Sequence, residues 1–414
     1  MRKVIIVKAD RLFKAPAPVF SEMYRSLRHP RHKGLDIIEL GMVRSEFFAD
    51  PDFSGEAGAI LGNPGLRRQA TPDEIADIRK KTAHFYFKQT GVKLNHWSSF
   101  AFISVDIPTE YLLCLGLINP GDNVAVCNPS DPTFCKALSL SSANIIYQTV
   151  SERTDYLPIP ELPDLKTDER IKLKFLNFPH NPTGAVADTN FFDRQAKAAS
   201  KGDYLICHRW GFRGLTNNSH PHPSLLQSPG TKKVAVELLG FNLGFGLKPG
   251  MLEIAVGSPD AIAVIKEIDS LISEQTPFYK LKLLDSAIRH CSTAESKAAE
   301  MIKTNANILT EGLKKFGWRT FLHKGAPFLW ASHPRRKSSL NLSRILLKRS
   351  GIMVTPGSAF GENGEGFIRF ALTATEGDIH EALARISKSL HPIKTGKLEI
   401  DKRIKELRDG QADT

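Results

Sequence analysis

The sequence predicts an α/β protein: a large domain with a mostly parallel central sheet, followed by a smaller α+β domain. Three observations carry this expectation. Short apolar runs alternate with helical patterns between residues 101 and 207, the order expected of parallel strands joined by crossover helices. Two more apolar runs, 234–239 and 252–256, flank a glycine-punctuated loop, and Gly257 closes the second. That loop therefore sits at a strand end, where open α/β sheets hold their ligands. From Trp318 onward the pattern changes to short strands and helices of a compact α+β unit.

Taken in order, residues 35–40 read as a short strand, and 41–72 show no convincing period. The run TPDEIADIRKKTAHFYFKQTG has an acidic first turn, helical apolar spacing and a Gly91 stop, which predicts a helix over 72–90. Strands are expected at 101–105, 123–127, 145–149, 173–177 and 204–207. Helices are expected at 108–117, 132–140 and 190–200 between them. After the glycine-punctuated loop come helices over 260–271 and 278–316. Strands at 329–332, 352–355 and 367–371 and helices at 340–349 and 376–390 complete the smaller unit. A short helix is expected around 21–27, and the charged tail from 397 to 414 reads as a solvated helix.

Composition sets broad limits. The 414 residues are 41% hydrophobic and 24% charged, ordinary for a soluble protein able to bury a large core. A formal charge of +12 favours anionic partners. The basic stretches at 25–33 and 334–337 are short, however, so nucleic acid is not the leading reading. Five cysteines without a CxxC pair suit reduced thiols and a cytoplasmic setting. No signal peptide is read at the N-terminus, and no apolar run reaches membrane-spanning length.

Three stretches are specific: Asn-Phe-Pro-His-Asn-Pro-Thr-Gly at 177–184, the strand–loop–strand at 234–257, and Pro-Gly-Ser-Ala-Phe-Gly-Glu-Asn-Gly-Glu-Gly-Phe-Ile-Arg-Phe at 356–370. Together they resemble the class I/II aminotransferases of the pyridoxal-phosphate (PLP) fold type I group, nearest the LL-diaminopimelate aminotransferase-like branch, over residues 9 to 390. The resemblance implies an N-terminal arm and part of the small domain at 1–50, a large domain at 51–290, a small domain at 291–395 and a tail at 396–414. It also implies a homodimer, or a heterodimer with another chain of this fold.

PLP chemistry requires a lysine for the Schiff base, a carboxylate beside the pyridine nitrogen and a cup of donors for the phosphate. By resemblance, Asn181 stands where an asparagine bonds the phenolic oxygen, and Arg369 where an arginine grips the substrate carboxylate. Arginine's planar fork suits that task. At other family positions the residues differ. Leu243 occupies the lysine position, Gly240 and Asn242 the serines, Met251 the phosphate-binding arginine, Asp131 the ring-stacking aromatic, His208 the pyridinium partner and Gly211 a tyrosine. No tyrosine is found near Gln69, where the family lends one to the neighbouring subunit. Asp106 stands before a helix start where the family's loop binds phosphate; it would cap the helix and repel a phosphate.

These replacements imply a member that has lost transamination and acts as a non-catalytic partner, regulator or carboxylate binder, with no cofactor expected. The alternative is an active PLP-dependent transaminase with a relocated lysine, for which Lys248 in the same loop is the candidate. A third reading uses His208 and Asp131 as acid and base; beside a PLP, Asp131 is expected to be a partly buried charge without an obvious partner. Alternative structural roles are a turn for Asn181, a salt bridge for Arg369 and a hydrogen-bonded strand end for His208. Gly244, Gly246 and Gly250 do not have dinucleotide-binding spacing. His220 and His222, in a polar loop without a third ligand, do not predict a metal site.

Overall fold

The computed structural model describes residues 8–14, 19, 23, 25, 36–162, 170–216, 222–241, 243–273, 276–335 and 337–390. Of the helix expected around 21–27 only Met23 and Arg25, both helical, are among these residues, and the tail, His220 and Asn242 lie outside them.

Strand β1 (Ile38–Leu40) belongs to a sheet completed only late in the chain. A larger sheet is built from β2 (Phe100–Phe102), β3 (Asn123–Asn128), β4 (Asn144–Thr149), β5 (Ile171–Asn177), β6 (Leu205–Arg209), β7 (Ala235–Gly240) and β8 (Glu253–Gly257). Its order is β2-β8-β7-β6-β5-β3-β4. The pairs from β7 through β4 are parallel, and β8 runs antiparallel to both neighbours. Consequently the start of β8 lies at the same edge as the ends of β3, β5, β6 and β7.

Helices cover both faces, as expected for a parallel sheet. One face packs against α1 (Pro51–Gly62), α2 (Pro72–Thr90), and α5 (Thr189–Gly202) through Phe53, Tyr86, Phe191 and Phe192. The other packs against α3 (Thr109–Leu117), α4 (Pro132–Leu140) and α6 (Pro259–Ile272) through Leu113, Phe134 and Ile262. Helix α7 (Phe278–Lys315) has 38 residues, about 57 Å at 1.5 Å per residue. Its first half enters the large-sheet core through Leu284 and Cys291. Its second half enters the next core through Ile302 and Leu309.

The second sheet has the order β1-β11-β12-β10-β9, with β9 (Arg319–Thr320), β10 (Phe328–Ser332), β11 (Ile352–Pro356) and β12 (Phe367–Ala371). Helices α8 (Ser339–Ser350) and α9 (Glu376–Leu390) cover it, with Leu346 and Ile379 buried beneath.

Two expectations require correction. Residues 51–62 are a helix rather than an aperiodic stretch. Asp50 caps it by accepting from the Asp52 and Phe53 amides, and Pro51 opens it. Glycine and alanine fill so many positions that only Phe53 and Ala57 are buried. Strand β2 also ends at Phe102 rather than at 105. The Ser104 amide instead donates to the Asp269 carboxylate, and Lys280 Nζ donates to the Ser104 carbonyl, which turns the chain toward α3.

Candidate functional site

A cavity of about 300 Å³ opens where the ends of β3, β5 and β6 meet the loop after β7 and the second sheet. Pro108 and Glu110 line it at the start of α3, and Asp131, Thr133 and Lys136 at the start of α4. Asn181 follows β5, and Arg209 ends β6. Leu243, Leu247 and Pro249 come from the loop after β7, with Arg369 and Phe328 opposite them.

Arg369 projects from β12 and is 4% exposed. Its Nη1 donates to Asn181 Oδ1 at 2.8 Å, and its Nη2 donates to the Gly41 carbonyl at 2.8 Å. The guanidinium lies over Phe328 and Phe360, 4.1 and 4.7 Å from the ring centres. Burial pushes its pKa down to about 9, against the pull of Asp131. Asn181 turns its amide nitrogen the other way and donates to Asp131 Oδ2 at 2.7 Å. Asp131 also caps α4, accepting the Thr133 amide at 2.9 Å. The expectation that Asp131 lacks a partner is therefore corrected: Asn181, fifty positions away in sequence, bridges it to Arg369.

Charge also concentrates on the other side of the cavity. Arg209 Nε donates to Glu110 Oε1 at 2.6 Å and Nη2 donates to Glu110 Oε2, a bidentate grip. Nη1 donates to Glu253 Oε1 at 2.7 Å. Glu253 Oε2 accepts the Thr109 amide at 2.9 Å and the Thr109 hydroxyl at 2.6 Å, while Oε1 accepts the Gly250 amide at 3.2 Å. Burial raises the Glu110 pKa despite Arg209. For Glu253 burial acts in the same direction, but Arg209 and the Thr109 donors outweigh it and hold the carboxyl below its usual range.

Asp106 does not cap α3, as had been expected. The cap position is Pro108, and Asp106 pairs with Lys280 at 2.7 Å. The donors at the helix start are met by Glu253 instead.

His208 is also misplaced by the sequence reading. It is wholly buried beneath α2 and α5, with Nδ1 2.9 Å from Glu237 Oε1 and Nε2 3.1 Å from the Phe178 carbonyl. Successive side chains on a strand point to opposite faces, so its neighbour Arg209 enters the cleft. An acid–base pair of His208 and Asp131 is thus excluded, since Asp131 lines the cavity and His208 does not. Gly211 does line it, together with Phe212.

Leu243 lines the cavity at 6% exposure and joins the core of the smaller sheet. Leu247 and Pro249 face the cavity, and Lys248 between them is not among the lining residues. Lys136 is, and the sequence reading missed it. His222 is buried, accepting the Ala187 amide on Nε2, with Nδ1 2.9 Å from the Pro223 carbonyl. Asp50, Asp52 and His290 cluster within 4.8 Å, but Asp50 is already the cap of α1 and is paired with Lys297.

Glu110, Thr109, Arg209 and Glu253 were also missed. One signal was available: Glu110 and Glu253 interrupt otherwise apolar runs, and a carboxylate in a buried segment needs a cationic or hydrogen-bonding partner.

A sequence model of the family "Aminotransferase class I and II" matches residues 53–206 and 254–386, more than half the chain. The chain belongs to the class I and II aminotransferase family. The match omits 207–253, which contains Arg209, Leu243 and Glu253. Among curated aminotransferases, an LL-diaminopimelate aminotransferase of Moorella thermoacetica is 27% identical over 92% of this chain and 98% of its own length. Transaminase BacF of Bacillus subtilis is 26% identical over 92% of this chain and 96% of its own. The substrate-bound BacF structure superposes with a TM-score of 0.86 at 25% identity, covering 94% of this chain and all of BacF. A probable N-succinyldiaminopimelate aminotransferase of Thermus thermophilus shares the fold with a TM-score of 0.81 at 24% identity, over 90% of this chain and all of that one.

This aminotransferase family is PLP-dependent, so the cleft can be compared with what that cofactor needs. A phosphate dianion requires unspent donors and positive charge. Here the first amide and hydroxyl of α3 are spent on Glu253, and two carboxylates share Arg209. The loop after β7 presents Leu243. These side chains do not fit the cofactor.

Proposed function

We propose that this family member does not carry out PLP-dependent transamination and instead binds a small carboxylate-bearing molecule at Arg369, as a binding or regulatory chain. The observation that carries this reading is Leu243. A hydrocarbon side chain, which can neither form a Schiff base nor move a proton, lines the cleft from the loop after β7. Arg369 supports the second half of the reading. It is buried at the cleft wall, where it donates to neutral oxygens of Asn181, Gly41 and Thr355, contacts that a carboxylate can outcompete.

The names of the relatives favour a second reading, an active transaminase, and Lys136 is the cleft amine that reading requires. Titration with PLP, borohydride reduction and peptide mass mapping separate the two. The first reading expects no visible absorption band and no adduct, together with saturable binding of glutamate or LL-diaminopimelate that Arg369→Ala weakens about tenfold or more. A reduced adduct on Lys136 with a visible band would overturn it.

A further inference from the structure

The start of α3 is arranged as an anion site, yet its anion is part of the chain. Four donors converge on the Glu253 carboxylate: the Thr109 amide and hydroxyl, the Gly250 amide and Arg209 Nη1, at 2.6 to 3.2 Å. Backbone amides at a helix start, a hydroxyl and a guanidinium are the donors that hold a phosphate in other proteins. We propose that Glu253 is a tethered anion that fills this place, so the cleft admits a carboxylate at Arg369 and excludes phosphorylated molecules. This deepens the reading above, on which it rests for the nature of the cleft's ligand.

Two further features support the assignment. Gly250, at φ +89°, is pressed against the segment entering α3. A Cβ there would lie 2.8 Å from the Ile107 carbonyl carbon and 2.9 Å from the Pro108 nitrogen, so glycine is what lets this amide donor sit against the helix start. The first turn of α3 also carries Glu110, so two carboxylates share one guanidinium before any ligand arrives. An incoming dianion would meet negative charge where the helix end alone would attract it.

Calorimetric and thermal-shift titration with inorganic phosphate, against sodium chloride of equal ionic strength, tests the proposal on the full chain. The parent protein is expected to show no saturable phosphate binding, whereas Glu253→Ala gains it, at least about tenfold over the parent. If Glu253→Ala does not fold, Glu253→Ser also vacates the place and keeps a polar side chain at the start of β8. That variant must then show a phosphate-dependent rise in melting temperature absent from the parent. Phosphate binding by the parent equal to that of the variants, or no response in a folded variant, would overturn the proposal. The probe contains no pyridoxal, so the two readings fail separately. A PLP adduct on Lys136 would end the preceding reading, and phosphate uptake by the parent would end this one.

Discussion

Arg209 reaches across β7 to Glu253, its Nη1 2.7 Å from a carboxylate on a strand that is not its neighbour in the sheet. With Glu110 held by the same guanidinium, this contact pins α3, β6 and β8 together at the floor of the cleft.

Arg209→Met should leave two buried carboxylates without their cation, a loss of about 3–5 kcal/mol. Urea unfolding would measure it. The deficit should shrink between about pH 7.5 and pH 5, because uncompensated carboxylates protonate. An equal deficit at both pH values would show that the guanidinium acts only by packing.

Leu243→Lys alone should not restore cofactor binding. The new ammonium would enter the smaller sheet's core at a cost of about 1–3 kcal/mol, while Glu253 remains at the start of α3. Pairing it with Glu253→Ala should be needed before PLP gives a visible absorption band. A band in the single variant would contradict the assignment of Glu253.

Gly250→Ala should cost about 1–3 kcal/mol in a thermal or urea melt, since φ is +89° and the added methyl meets the Ile107–Pro108 backbone. It should also weaken the Gly250 donor to Glu253. A neutral result would mean that the segment entering α3 yields readily.

Acid should destabilise the fold through two buried histidines. Burial, and for His222 the neighbouring His208, lowers the pKa of His222 to about 3, and burial lowers that of His180 to about 4. Both lie below the ordinary 6.5, so between about pH 6.5 and these values the unfolded chain binds more protons and stability falls as pH falls. Above about pH 6.5 neither contributes. At about pH 4.5 each costs about 2–3 kcal/mol relative to pH 7.5. Comparison of urea melts of the parent and His222→Gln across that range should show a flatter pH dependence in the variant.

Legibility followed local chemistry. Helix α2 was readable to the residue because Thr71, Pro72 and Glu74 open it and Gly91, in a left-handed conformation, closes it. Helix α4 was read at 132–140, but the bond from Asn181 to its cap Asp131 spans fifty positions and has no local signal. Helix α1 was hidden because its fully buried face is only Phe53 and Ala57, set among glycines. At the site, the end of β6 was found but its pleat was assigned one residue early, which put His208 in the place of Arg209. Glu110 and Glu253 passed as parts of apolar runs, since the partner that explains them lies 99 and 44 positions away. Leu243 was located by resemblance, and no local pattern would have singled it out.

Helix α7 serves both hydrophobic cores, passing from one to the other between Ala294 and Ala298. The two lobes are thus mounted on one axle, and heat cannot strip either from it without loosening the other. Any opening or closing of the cleft has to come from flexing of that axle or from the coil joints beside it.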